Sequence, residues 1–450
     1  MAKIAKTSLL YKVIYVWQVF FQKYIYYHRL YVIRKTPFPE KGKQFLMASN
    51  HQNSLNDALL MVASMQCRKV WYMTRASVFS NWFFKKVLDF LGLLPVYRVR
   101  DGHANVKKNI EMFDMAEEKI LNGMPVAVFP EAMHQNRHYL GTFYLSYTRI
   151  AFETAAKNNF QEEVFIQPVA NHYSGYLGYQ NDALITYGEF ISLKPYYDLY
   201  QSNPREAQNI VNDIVKEKVR EMMLDIQEID HYQEIYDLLG NVGVDYAIYK
   251  QVDASRLPDK LAIDQQIVAK LDAVKEQNVD MFSEICQKSK AYSQQLGSMH
   301  ITDDCVREKY SSLKCIFVTL LMLLLSPLFL VGAVHYIIPY LIPKFVHRNY
   351  KDILMKPSIE IGLALLVTIP LFQIIYYVGY FILFHNWWLP LLIVLVLPLF
   401  AIVSLRWFKQ IQKLANAIKT NIVKCRHKEQ FSQLLTTRDN LKSSLFDMMQ

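Results

Sequence analysis

The stretch ASNHQNSLNDALL, residues 48–60, joins a short apolar strand to the start of a helix. Residues 44–49 alternate weakly between apolar and polar and predict a strand, whereas the apolar residues from Leu55 onward recur at helical spacing. Ser54 stands at the expected N-cap, and Asp57 follows three residues later, which is the spacing of a capping box. A strand, a polar turn and a helix in this order predict one unit of an α/β fold.

The same turn brings His51 close in sequence to Asp57. A carboxylate in the first helical turn can fold back towards an imidazole in the preceding turn, where it fixes the tautomer and stabilises the imidazolium. Two interpretations are therefore open. Asp57 satisfies backbone N–H groups at the helix start, or it orients His51 as the base of a catalytic pair.

Composition excludes several classes of protein. The chain has 450 residues, enough for two or three domains, and its 30 Tyr and 26 Phe beside 14 Gly exclude a disordered or collagen-like chain. Its five cysteines are scattered without a CxxC pair, which argues against zinc or a disulfide framework and fits reduced thiols in the cytosol. The net charge of +10 accompanies no recognisable nucleic-acid-binding motif, so no nucleic-acid partner is expected.

Residues 1–39 contain seven Lys or Arg and no acidic residue. They lack the small-residue cleavage site of a signal peptide. An aromatic-rich, basic segment of this kind predicts an amphipathic helix that lies on an anionic membrane surface. The alternative is a helix packed on the following domain.

Three long apolar runs follow residue 314, at 315–342, 358–384 and 387–405. Each is long enough to cross a membrane, which takes about 20 residues. Only His385 and Asn386 join the second run to the third, so this pair predicts a helical hairpin.

The charges around these runs predict their orientation. Residues 343–357 and the helical tail 406–450 are rich in Lys and Arg, which places both on the cytoplasmic side. Residues 315–342 have basic residues at both ends and contain Pro327 and Pro339. We therefore expect this segment to be re-entrant within a membrane part spanning 314–405, with a plain span as the alternative.

Residues 40–200 predict a mixed α/β domain, and residues 201–313 predict a helical insertion or lid. Short apolar runs read as strands at 45–49, 69–74, 125–130, 164–170 and 183–189. Helical stretches separate them, which indicates a mainly parallel central sheet flanked by helices.

Residues of functional type follow the ends of these predicted strands. Arg98 and Arg100 come after the run GLLPV, and Pro130 and Glu131 end the run PVAVFPE. Ligands of open α/β sheets collect outside the carboxyl ends of the strands, where an arginine offers a forked donor to phosphate. Considered one at a time, these residues have ordinary structural explanations. Arg98 is then a surface arginine and Glu131 is a turn residue.

Taken in order, four blocks resemble the PlsC-like glycerolipid acyltransferase family, whose members include glycerol-3-phosphate and 1-acylglycerol-3-phosphate acyltransferases. The blocks are NHQNSLNDALL at 50–60, GLLPVYR at 92–98, FPEA at 129–132 and IQPVA at 166–170. Two departures from the family pattern stand out. Five residues in place of four separate the His from the Asp of the first block, and Ala132 replaces the usual glycine of the third.

The resemblance implies acyl transfer from acyl-CoA or acyl carrier protein to a lipid hydroxyl. His51 would take the proton of the hydroxyl, a role suited to an imidazole near neutral pH, and Asp57 would hold the imidazolium. Beyond the acyl donor, no cofactor and no metal are expected.

The other blocks imply the binding of the acceptor. Arg98 would pair with the acceptor's phosphate, with Arg100 as a weaker candidate. Glu131, which follows Pro130, would bind a glycerol hydroxyl or order the wall of the site. The acceptor would be glycerol 3-phosphate or a lysophospholipid such as 1-acylglycerol 3-phosphate, used in phospholipid synthesis at the cytoplasmic face of the inner membrane.

Three other functions are open at this point. One is acylation of another class of lyso-lipid, of the aminolipid type, and a second is a membrane scaffold with a catalytically degenerate domain. A hydrolase that pairs His51 with a serine is disfavoured, because no GxSxG sequence is present.

Overall fold

In this computed structural model, two compact units are formed by Met1–Met223 with Tyr350–Ser358, and by Leu224–Asn349 with Ile359–Gln450. The first unit contains a β-sheet and the second is helical. The residues that the structure describes are 8–75, 86, 89–96, 108–131, 137–308, 311–349 and 355–450.

The sheet of the first unit is mixed but mainly parallel, which confirms the predicted fold class. Its strands are β1 Tyr27–Arg34, β2 Phe45–Ser49, β3 Trp71–Arg75, β4 Leu93–Val96, β5 Val126–Val128, β6 Phe165–Tyr173, β7 Asn181–Tyr187 and β8 Ile191–Ser192. They lie in the order β1-β7-β6-β2-β5-β3-β4, with β8 paired to β6. Only the pairs β6–β7 and β6–β8 are antiparallel among the described strands.

Helices cover the sheet because its central strands are apolar on both faces. The helices of this unit are α1 Leu9–Phe20, α2 Leu55–Ser64, α3 Lys108–Leu121, α4 Ser146–Lys157, α5 Tyr197–Ser202 and α6 Pro204–Arg220. Leu46 and Ala48 of β2 share one buried cluster with α4 and α6. Phe45 and Met47 point to the opposite face and are equally buried. The central strands therefore read as continuous apolar runs.

The N-terminal segment differs from the predicted amphipathic helix. The helix α1 gives way to a π-helical segment, Phe21–Tyr26, and the next eight residues form β1, which pairs in parallel with β7. The prediction of one helix over residues 1–39 is therefore wrong for β1. Its aromatic and β-branched residues favour a strand, and its basic residues suit the exposed edge of a sheet.

The α/β unit also extends beyond the predicted boundary at residue 200. Val211, Val215 and Val219 form an apolar stripe on α6 that packs into the main core with β2 and β6. Because this stripe is buried in the core of the sheet domain, α6 is part of that domain. The predicted insertion starts only after Met223.

The chain after residue 223 is helical. Its helices are α7 Tyr232–Gly240, α8 Gly243–Tyr249, α9 Leu257–Gln277, α10 Val279–Met299, α11 Asp303–Arg307, α12 Ser312–Arg348, α13 Lys356–Phe384, α14 Trp388–Arg426 and α15 Lys428–Met448. By length and composition α12, α13 and α14 can each cross a membrane. Buried Arg438 on α15 pairs with Asp245 at 2.6 Å and Asp303 at 2.7 Å, which fixes α15 to α8 and α11.

The segment predicted to be re-entrant is instead one continuous helix, α12, with Pro327, Pro339 and Pro343 inside it. That prediction is wrong, and the alternative of a plain span fits. A proline removes the N–H that would bond the carbonyl four residues earlier, so carbonyls are freed at positions 323, 335 and 339.

Each freed carbonyl accepts a side-chain hydroxyl. Ser326 Oγ donates to Leu323 O at 2.7 Å and Thr368 Oγ1 donates to Pro339 O at 3.0 Å. The hydroxyl of Tyr376 donates to the third carbonyl, that of His335. Hydroxyls that re-satisfy the backbone let an apolar helix tolerate proline, which is why α12 does not turn back.

Candidate active site

Three neighbouring parallel strands bring the site residues to one edge of the sheet. In the order β6-β2-β5, Ala48 aligns with Val128 and Ser49 with Val169, so the carboxyl ends of the strands lie side by side. His51 follows β2, Glu131 follows β5 and Tyr173 ends β6. This edge is where α/β sheets bind their ligands.

His51 and Asp57 are in contact. The Nδ1 atom of His51 lies 2.8 Å from Oδ2 of Asp57, whose side chain is fully buried, whereas the side chain of His51 keeps 18% exposure. The ring of Phe129 stacks on the imidazole, with ring centroids 4.5 Å apart and planes at 23°. The imidazole is thus held by a carboxylate on one side and an aromatic face on the other, with part of its ring open to solvent.

The Asp57 carboxylate receives two further hydrogen bonds. The backbone N–H of Asn53 donates to Oδ2 at 2.8 Å, and the hydroxyl of Tyr173 donates to Oδ1 at 2.7 Å. Both of its oxygens are therefore engaged. The two interpretations of Asp57 left open by the sequence are compatible, because the carboxylate meets a backbone N–H and the imidazole together.

Ser54 is the N-cap residue of α2, as predicted, but the predicted capping hydrogen bond is not made. Ser54 has φ 50° and ψ −124°, and its side chain makes no cap hydrogen bond. The N–H of Leu55 donates instead to Ser358 Oγ at 3.0 Å, and Ser54 Oγ lies 3.7 Å from Met355 Sδ. The positive φ of Ser54 turns the backbone sharply just before α2.

Glu131 braces the backbone of the base. Its Oε1 accepts the N–H of His51 at 2.6 Å and its Oε2 accepts the N–H of Gly141 at 2.9 Å. Burial raises the pKa of this carboxyl group to about 7, although both N–H groups favour the charged form. A Cβ at Gly141 would lie 2.9 Å from Oε2, so this approach requires a glycine.

Of the other residues singled out from the sequence, the structure describes only Pro130. Pro130 is buried, and its carbonyl accepts the N–H of Tyr144 at 3.0 Å. Arg98, Arg100 and Ala132 lie outside the described residues. In the part of the chain that is described, no group of three or more His, Cys, Asp or Glu could hold a metal ion.

Asn50 ties the turn to the neighbouring strand. Its side chain donates to the carbonyl of Asn171 at 2.9 Å and accepts the N–H of the same residue at 2.7 Å. These two hydrogen bonds between side chain and backbone fix the residue before His51 to β6. The sequence analysis assigned no role to Asn50 or Tyr173. Asn50 lies inside the first block, and Tyr173 lies three residues after the last one.

Comparison with known proteins found a matching family model and a similar solved structure. Residues 29–172 match the family model described as Acyltransferase. The crystal structure of the 1-acyl-sn-glycerophosphate (LPA) acyltransferase PlsC from Thermotoga maritima is similar at 16% identity, covering 47% of this chain and 80% of that chain with a TM-score of 0.32. No curated protein matches the sequence.

Residues 29–172, which contain the four sequence blocks and the contact between His51 and Asp57, therefore match the acyltransferase family. This match agrees with the resemblance that the four blocks predict. Among the described residues, three long apolar helices indicate association with a membrane.

Proposed function

We propose that the protein moves a fatty acyl chain from acyl-CoA or acyl carrier protein to a hydroxyl of glycerol 3-phosphate or of a lysophospholipid such as 1-acylglycerol 3-phosphate. The observation that carries this proposal is the contact between partly exposed His51 and fully buried Asp57 at the carboxyl edge of the sheet. A hydroxyl that attacks a thioester needs a base near neutral pH, and imidazole is suited to that role.

The reaction needs no acyl-enzyme. Since Nδ1 of His51 is engaged by Asp57, Nε2 takes the proton from the acceptor hydroxyl. The oxygen of that hydroxyl attacks the carbonyl carbon of the thioester at the same time. The buried carboxylate stabilises the imidazolium that forms. Collapse of the tetrahedral intermediate breaks the carbon–sulfur bond, and the leaving thiolate receives the proton from His51.

Glu131 supports this step through the backbone. Its bonds to the N–H groups of His51 and Gly141 hold the two chain segments that flank the base. This contact supports the predicted role of ordering the site wall. Arg98 is proposed to pair with the acceptor's phosphate, on the strength of the second sequence block, with Arg100 as the weaker candidate.

The three apolar helices support a membrane location, because acceptor and product are lipids. We place the catalytic domain on the cytoplasmic side of the inner membrane, where acyl-CoA and acyl carrier protein are found. The donor is a co-substrate, and no other cofactor enters the reaction.

The test is acyl transfer by the full-length protein, purified in detergent, with labelled acyl-CoA or acyl carrier protein and a panel of phosphorylated and unphosphorylated acceptors. General base catalysis contributes ~10²–10⁴-fold, so His51→Ala should lower kcat by that factor. The matched control is His28→Ala, since His28 also contacts an aspartate, Asp182, at 3.1 Å but on strands β1 and β7.

A loss of less than about tenfold for His51→Ala would remove the base from the mechanism, and a trapped acyl-enzyme would argue against direct transfer. Arg98→Ala should raise KM for a phosphorylated acceptor far more than for the donor, because the ion pair is present before and during the reaction. Arg98→Lys should restore only part of the affinity. Wild-type protein without transfer to any acceptor would favour the scaffold alternative.

A further inference from the structure

We propose that Tyr173 is a positioning residue that holds the Asp57 carboxylate in the orientation needed to bind His51. This inference rests on the proposed function, in which His51 is the base. Tyr173 lies outside the four family blocks, three residues beyond the end of the last one.

The contact joins two separate elements of the fold. Tyr173 is the last residue of β6, whereas Asp57 lies in the first turn of α2, and the hydroxyl of Tyr173 donates to Oδ1 at 2.7 Å. The other two donors, from His51 and Asn53, both reach Oδ2. Tyr173 therefore holds the second oxygen and fixes the rotation of the carboxylate about its Cβ–Cγ bond.

Tyr173 is a rigid and permanent donor. Its side chain has no exposure to solvent, and the rings of Tyr27 and Tyr176 pack around it at centroid distances of 6.3 and 5.9 Å. Burial, followed by the charge of Asp57, raises the pKa of the phenol well above its usual value. The hydroxyl consequently keeps its proton wherever the enzyme works.

Removal of this hydroxyl would affect the reaction through Asp57. With Oδ1 unpaired and buried, the carboxylate can rotate away from Nδ1, and the imidazolium loses stabilisation in the transition state. Loss of a hydrogen bond to a charged group changes an equilibrium constant about ten- to hundredfold. Tyr173→Phe should therefore lower kcat by about that factor. KM for donor and acceptor should not change, since the side chain of Tyr173 is fully buried and presents no surface to a substrate.

The matched control is Tyr147→Phe. Tyr147 is also fully buried in the same unit, and its hydroxyl donates to Asn212 Oδ1 at 3.0 Å, so the same atom is removed without a carboxylate partner. Replacement of Tyr173 by 3-fluorotyrosine keeps the donor and should keep kcat within about threefold of wild type. A fold-wide effect would lower kcat in the control as well.

A second readout does not depend on turnover. The backbone N–H of Asn53 donates to Oδ2 of Asp57 at 2.8 Å, so it reports on the same carboxylate as the imidazole. Amide hydrogen–deuterium exchange, followed by mass spectrometry of the peptide that carries Asn53, measures how firmly this N–H is held. A carboxylate that rotates after loss of the Tyr173 hydroxyl would release it.

Amide exchange in this peptide should therefore be faster in Tyr173→Phe and unchanged in Tyr147→Phe. A kcat within twofold of the control, together with unchanged exchange, would overturn the role of Tyr173. Faster exchange in a protein that transfers no acyl chain would support the positioning role and reject the proposed function. The two failures are thus distinguishable.

Discussion

The turn around His51 and the proline-containing helix α12 satisfy buried backbone groups with opposite chemistry. In the turn, backbone N–H groups need acceptors, and they donate to the carboxylates of Asp57 and Glu131. In α12, carbonyls freed by three prolines need donors, and neutral hydroxyls supply them. The first solution places charge in the interior of the protein and the second does not.

This difference sets the size and the pH dependence of the two kinds of contact. Hydrogen bonds to charged groups contribute about 1.5–3 kcal/mol, whereas side-chain hydrogen bonds in membrane helices average about 0.6 kcal/mol. Carboxylates also titrate, and hydroxyls of serine and threonine do not. We therefore expect large, pH-dependent effects in the turn and small, pH-independent effects in α12.

The largest effect is expected from Glu131, as a change in stability with pH. A carboxyl pKa raised from 4.5 to about 7 means that its contribution to stability is complete below about 4.5 and is lost as the pH rises through about 7. The difference corresponds to about 3 kcal/mol. Thermal unfolding in detergent should show wild type losing several degrees relative to Glu131→Gln between pH 5 and pH 8.

The control for this comparison is Glu118→Gln, since Glu118 is exposed on α3. Its melting curves should follow those of wild type at every pH. If the curves of Glu131→Gln also run parallel to those of wild type, the charged carboxylate is not the source of the pH dependence, and the contrast between the two regions fails.

An intermediate effect is expected at the start of α2, where a hydroxyl acts as the acceptor. Ser358 Oγ accepts the N–H of Leu55, whereas the side chain of Ser54 caps nothing. Ser358→Ala should therefore cost about 1 kcal/mol, the usual value of an N-cap, and Ser54→Ala should cost close to nothing. Chemical denaturation at two pH values measures both, and a larger loss for Ser54→Ala would contradict the assigned cap.

The smallest effect is expected in α12. Thr368→Val removes the hydroxyl that donates to Pro339 O and should cost about 0.6 kcal/mol at any pH. Thr319→Val is the matched control, because Thr319 Oγ1 donates to Cys315 O within its own helix and no proline has freed that carbonyl. Equal thermal shifts in the two variants would show that the freed carbonyl does not need its hydroxyl.

The sequence predicts the parts of this molecule that local patterns determine. The strands β2, β5 and β6 each contain a short run of mainly apolar residues, and the three described helices of membrane length follow from their composition. His51, Asp57 and Glu131 are recognisable because their blocks stand at strand ends in a fixed order. Their arrangement along one edge then follows from the parallel sheet.

Contacts between distant residues could not be predicted in this way. The bond between Tyr173 and Asp57 joins residues 116 positions apart, and neither local pattern contains a signal for it. The same reason contributes to the wrong prediction for α12, since a proline predicts a break unless a hydroxyl meets the freed carbonyl, and the hydroxyls of Thr368 and Tyr376 come from another helix. At the start of α2, the local pattern predicts Ser54 as the capping side chain. The N–H of Leu55 donates instead to Ser358, which is 303 residues away.

The parallel pairing of β1 with β7 has a consequence for synthesis of the chain. Tyr27 aligns with Asn181, so β1 can pair with β7 only after more than 150 further residues have been made. At ~5–20 residues per second this wait lasts roughly 10–30 seconds. During that interval β1 lacks β7, and its exposed apolar residues Val32 and Ile33 are open to other contacts. This edge of the sheet is therefore completed long after β1 itself has been made.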